Sequence, residues 1–144
     1  MELDDIIAID MEPPRPRGIP VQDAPRILVC DDDRAIRDLV AWQMRDAGYD
    51  VVLARHAAEA FDRMKEYQFS LVVMDGQMPG MDGTEAVKRI KGDRYLSQIP
   101  VLMLTARTAH DHVLAALQNG ADDYMAKPVH ATELLRRVQK LLAR

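Results

Sequence analysis

Only one cysteine occurs in the chain, Cys30, so no intrachain disulfide can form, and it sits inside an apolar run rather than in a reactive motif. No apolar stretch approaches the ~20 residues of a membrane-spanning helix, which argues against a membrane protein and for a soluble one. There is no dense block of lysine and arginine, and the net charge of -4 gives no general attraction to nucleic acid or anionic lipid. Direct nucleic-acid binding by this chain is therefore not expected. A secretory signal, with its basic start and apolar centre, is also missing, and the expected setting is the cytoplasm. What remains is ordinary globular material: 144 residues, 48% hydrophobic and 29% charged, enough for one compact core.

The chain changes character near Arg26. Residues 1–25 combine the acidic and apolar "MELDDIIAID" with five prolines between Met11 and Pro25. Proline density favours extended, unpaired backbone, so this segment reads as a flexible arm and residues 26–144 as the domain. From Arg26 onward, apolar runs of strand length ("RILVC", "DVVLA", "SLVVM", "IPVLMLT", "DYMAK") alternate with segments of helical period. Ile36, Val40, Met44 and Ala47 share one helical face, as do Ala57, Ala60, Phe61 and Met64. Gly48, Gly92 and Gly120 fall near expected helix ends, and Thr84, Thr108 and Thr132 near helix starts. The alternation implies five β-α units and an α/β fold, a doubly wound parallel sheet with helices on both faces.

In such a sheet, ligands bind beyond the carboxyl ends of the strands. Four expected strands end there in a reactive residue type: Asp31 and Asp32, Asp75, Thr105 and Lys127. Taken singly, an aspartate caps a helix, a threonine satisfies nearby backbone and a lysine is a solvated charge. Capping does not explain their convergence at one end of the sheet. Carboxylates brought together repel and need cations, and all-oxygen ligation suits Mg²⁺. Asp32 and Asp75 are expected to coordinate it, Asp31 directly or through water, with the backbone carbonyl of Gln77 as a further oxygen. Asp75 is then the nucleophile toward a phosphoryl group, with Lys127 and Thr105 stabilising its oxygens.

These residues resemble the receiver domain of two-component response regulators, through "ILVCDDD", "LVVMDGQMPGMDG", "VLMLTA" and "GADDYMAKP" over Arg26 to Arg144. The resemblance implies a flavodoxin-like sheet of strand order 2-1-3-4-5. It implies that Asp75 takes phosphate from a sensor histidine kinase or histidine phosphotransfer protein, with Asp31, Asp32 and Gln77 around Mg²⁺. Thr105 and Tyr124 would form the conformational switch, Lys127 would bind the phosphoryl group, and Lys127-Pro128 would be a cis peptide. Such a chain is not an enzyme in the usual sense; it catalyses only its own phosphoryl transfer and autodephosphorylation. Cys30, Gly76 and Val129 depart from the commonest residues at their positions, and Gln77 and Arg107 occupy positions that set phosphate lifetime in the family.

A haloacid-dehalogenase-like phosphatase is the alternative with an aspartyl nucleophile, but Gln77 stands where its acid aspartate belongs. A phosphate-independent binding module also fits less well, because the acidic residues and the lysine are all present. His56, His110, His112 and His130 lack the spacing of a helical metal pair. Met44, Met64, Met74 and Met103 are expected in the core, and Met78 and Met81 at a partner contact. Trp42 falls opposite Val40 on the first helix, and with Ile36 and Leu39 is expected to contact the phosphodonor. No effector domain is expected in this chain, so output would pass through the fourth helix, fifth strand and fifth helix, to a separate effector protein or a weak homodimer. Asp122, Asp123, Glu133 and Arg137 match charged positions of that face in the winged-helix group of regulators, where ion pairs form between chains; Val113 replaces a basic residue there.

Overall fold

The computed structural model describes the backbone of residues 24–106 and 110–144 and the side chains of 24–106 and 114–144. The arm up to residue 23, Arg107, Thr108 and the side chains of His110, His112 and Val113 lie outside the described residues. Strands and helices alternate: β1 Arg26–Cys30, α1 Arg34–Asp46, β2 Asp50–Ala54, α2 Ala57–Glu66, β3 Leu71–Asp75, α3 Gly83–Gly92, β4 Val101–Thr105, α4 His110–Gln118, β5 Asp123–Ala126 and α5 Ala131–Leu142. The five strands are all parallel, in the order β2-β1-β3-β4-β5.

Each strand sends alternate side chains to opposite faces, and both faces are covered. Ile27, Val29, Leu71, Val73, Leu102 and Leu104 pack with Val40 and Met44 of α1 and Leu134, Val138 and Leu141 of α5. Leu28, Val72, Met74 and Met103 pack on the other face with Ala60 and Met64 of α2, Val87 and Ile90 of α3 and Ala116 of α4. This double burial is why the strands read as continuous apolar runs. Each fully buried aliphatic side chain contributes roughly 1.5–3 kcal/mol from removal of apolar area from water.

Side-chain acceptors cap the first turns of α1, α2 and α3. Asp33 Oδ1 accepts from the N–H groups of Ala35 and Ile36, Asp82 Oδ1 from Glu85, and His56 Nδ1 from Glu59. Thr84 and Thr132 therefore lie within first turns and are not caps; at α5 the cap residue is His130, which makes no side-chain cap bond. Gly48 and Gly120 take positive φ, 99° and 108°, past the ends of α1 and α4. Gly92 does not: it is the last residue of α3, and Asp93 ends that helix in extended backbone.

Candidate functional site

The chain passes from β1 out to β2 and then returns to place β3 on the other side of β1, so the strand order reverses between β1 and β3. A crevice opens at such a reversal, beyond the carboxyl ends of the strands. Asp31 follows β1 and Asp75 ends β3, so both carboxylates stand at that crevice, 1% and 2% exposed respectively. Asp32, next to Asp31, is exposed. Carboxylate oxygens of Asp31, Asp32 and Asp75 all lie within 4.8 Å of one another.

Each buried aspartate is shaped by its own chain. Asp31 Oδ1 accepts from the Asp33 N–H at 2.9 Å and Asp75 Oδ1 from the Gln77 N–H at 3.1 Å, two local turns that fix the carboxyl planes. Lys127 follows β5 directly, just before the cis peptide bond to Pro128, and its N–H donates to the Thr105 carbonyl at 2.9 Å. Its Nζ lies 3.0 Å from Asp31 Oδ2 and 3.2 Å from Asp75 Oδ1. The Asp75 contact is a hydrogen bond, whereas Asp31 Oδ2 is at ion-pair distance from Lys127 and has no hydrogen-bond partner among the described residues.

Burial and neighbouring charge together set the titration of the site. Burial pushes Asp75 up to about 7; the Gln77 N–H opposes this, Asp31 and Asp32 add to it, and Lys127 opposes it. For Lys127, burial acts downward, but the close carboxylates of Asp31, first, and Asp75 raise it on balance. Three carboxylates face one ammonium, and a buried oxygen of Asp31 has no hydrogen-bond partner among the described residues. That donor set, all oxygen and short of positive charge, fits a hard divalent cation.

Thr105, at the end of β4, is half-buried on the same edge of the sheet, opposite Ala126. Tyr124 lies opposite Met103 on β5 and packs, half-buried, on the α2-α3-α4 side of the sheet. On α1, Trp42 is 53% and Leu39 45% exposed, while Ile36 is half-buried against the core. The charged positions of β5 and α5 pair within the chain: Arg137 Nη1 donates to Asp123 at 2.8 and 2.9 Å, and its Nε to Glu133 at 3.1 Å. Asp122 accepts from Lys91, from the Val101 N–H and from Arg144.

Met78 is the clear departure from expectation. It is 7% exposed, and its Sδ lies 3.5 Å from Cys30 Sγ. Instead of offering a partner contact, it plugs the loop after Asp75 into the core, where burial and then the charges of Asp31 and Asp75 push the Cys30 thiol up to about 12. Met81 is half-buried on the same side. The sequence carries no signal for this sulfur contact, since it joins residues that only the β1-β3 pairing brings together.

Comparison with known proteins agrees with this geometry. The response regulator receiver domain model matches residues 27–139. Response regulator MprA of Mycobacterium tuberculosis is 40% identical over 119 residues, covering 83% of this chain and 51% of that protein. The DNA-binding dual master transcriptional regulator RpaA of Synechocystis is 40% identical over 120 residues, 83% of this chain and 50% of that protein. The chain thus spans about half the length of these curated relatives. A putative response regulator from Chloroflexus aurantiacus superposes with a TM-score of 0.81 at 33% identity, covering 84% of this chain and 99% of that one. Among the described residues no helix is long and apolar enough to cross a membrane. With the acid cluster at the β1-β3 reversal, the matching strand order and a family match over most of its length, the chain belongs to the receiver domains of two-component response regulators.

Proposed function

We propose that this domain is a phosphorylation-activated switch in which Asp75 accepts a phosphoryl group from a phosphohistidine. The observation that carries the reading is the meeting of Asp31, Asp32, Asp75 and Lys127 at one crevice, with Lys127 Nζ within 3.2 Å of both buried carboxylates. Asp31, Asp32, Asp75 and the Gln77 carbonyl would hold Mg²⁺, which supplies the positive charge these carboxylates lack. An Asp75 oxygen forms the new O–P bond as the P–N bond of the donor breaks, and the departing imidazole takes a proton from water. Lys127 follows the charge from the carboxylates to the phosphoryl oxygens, and the Thr105 hydroxyl donates to one of them.

The donor is a sensor histidine kinase or a histidine phosphotransfer protein, as for receivers in general, acting in the cytoplasm. It docks along α1, where Leu39 and Trp42 are exposed and Ile36 partly so. Movement of Thr105 toward the phosphoryl group frees space for Tyr124 to turn inward and reshapes α4, β5 and α5 for a separate effector or a weak homodimer. Since Arg137, Asp123 and Glu133 are satisfied within one chain, a homodimer using them must exchange existing pairs for new ones, which favours a weak association.

The test is to follow backbone amide shifts on adding beryllofluoride, a phosphoryl mimic, with Mg²⁺. Shifts are expected at Asp75, at Tyr124 and along α5. Changes confined to the neighbourhood of Asp75 would remove the output face from this account, and no change at all would remove the acceptor.

A further inference from the structure

Arg37 lies one turn into α1, with its N–H bonded to the Asp33 carbonyl, and is half-buried. Its Nη1 donates to the main-chain carbonyl of Asp31 at 2.9 Å. Asp31 is also held through its N–H, which donates to Ala54 at 3.2 Å, through Oδ1 on the Asp33 N–H, and through Oδ2 beside Lys127. The bond from Arg37 differs from these because the carbonyl it grips belongs to the peptide joining Asp31 to Asp32. That peptide is planar, so fixing its oxygen fixes the plane and with it the directions in which both carboxylates leave the chain. Asp32 is exposed, whereas Asp31 is buried, so the orientation of the backbone matters most at Asp32.

We infer that Arg37 is a positioning residue for the cation site, acting through the Asp31-Asp32 peptide; the inference rests on the receiver reading above. Two effects of the guanidinium compete. Its charge repels a dication, while its hydrogen bond holds two ligands in place. The side chain is half-exposed, so solvent and salt screen the charge, whereas the donated bond ends on the main chain of a residue that is 1% exposed and is not screened. Positioning therefore outweighs repulsion. This is the same relation as that between a metal ligand and the outer group that orients it, although here the outer group acts on the backbone.

The full chain and its Arg37→Ala and Arg37→Lys variants are compared by calorimetric titration with Mg²⁺, together with metal-free thermal midpoints. Arg37→Ala is expected to weaken Mg²⁺ binding about 3- to 10-fold, at or below the range for loss of an outer-shell partner. The lysine variant, which keeps a charged donor of similar reach, recovers at least half of the loss, and the metal-free midpoints stay close to that of the unaltered chain. Affinity unchanged or tightened in Arg37→Ala would overturn the inference, because repulsion would then be the larger effect. Equal weakening in both variants with matching falls in midpoint would also overturn it, as general loosening of the fold. Failure of the unaltered chain to bind Mg²⁺ is a different result: it removes the cation site itself, and the inference with it.

Discussion

Asp75 is held in a site that disfavours its charge. Burial raises its carboxyl from 3.8 to about 7, so in the metal-free domain ionisation is opposed in the folded state relative to the unfolded one. The folded value is the higher one, so the folded form binds the proton more tightly. The stability this group contributes is full below about pH 4 and is lost as pH rises through 7. Asp75→Asn removes the titration. At pH 8 without metal it is expected to be more stable than the unaltered domain by about 1–3 kcal/mol, with the gap closing toward pH 4 and on adding Mg²⁺. Denaturant unfolding at several pH values measures the difference between the two proteins, in which the titration of acids away from the site cancels. At this scale Asp31, Asp75 and Lys127 were legible in the sequence because each ends a strand in a polar residue. Met78 was not: a methionine between Gln77 and Pro79 reads as loop surface until the pairing of β1 with β3 places Cys30 beneath it.

At the scale of elements, the loop between β3 and α3 is closed by backbone packed on backbone. The Gly83 N–H donates to the Gly76 carbonyl at 3.3 Å, and a Cβ on Gly83 would collide with the Asp75 carbonyl oxygen and the Gly76 Cα. Neither atom can move without moving the acceptor. Gly83→Ala is therefore expected to cost about 2 kcal/mol or more in stability and to weaken Mg²⁺ binding at the same time; thermal unfolding and a Mg²⁺ titration of the same sample check both. Gly92→Ala serves as the contrast, because nothing lies within 4 Å of a Cβ there. The alternation of strands and helices was legible from apolar period, and so was a cap from Asp32 or Asp33 after β1; the folded backbone gives that role to Asp33. His56 and His130 at helix starts were not legible, since histidine carries little capping preference and only the folded backbone shows what stands at each first turn.

For the whole molecule, apolar period predicts a parallel α/β sheet but not which strands are neighbours, because every strand carries the same kind of run. The order β2-β1-β3-β4-β5 came with the family resemblance and is what brings Asp31 beside Asp75. The charged face of β5 and α5 was legible as charged, yet its pairing within the chain depends on the distance between Arg137 and Asp123 across the β5-α5 connection. On the function proposed above, this arrangement serves one act, the acceptance of a phosphoryl group at the end of β3. That act is measured most directly by intact mass after treatment with acetyl phosphate, with and without Mg²⁺, for the unaltered chain and for Asp75→Asn. The unaltered chain is expected to gain one acid-labile phosphoryl group only when Mg²⁺ is present, and Asp75→Asn to gain none. Equal phosphorylation of Asp75→Asn, or of the unaltered chain after Mg²⁺ has been chelated, would contradict the account.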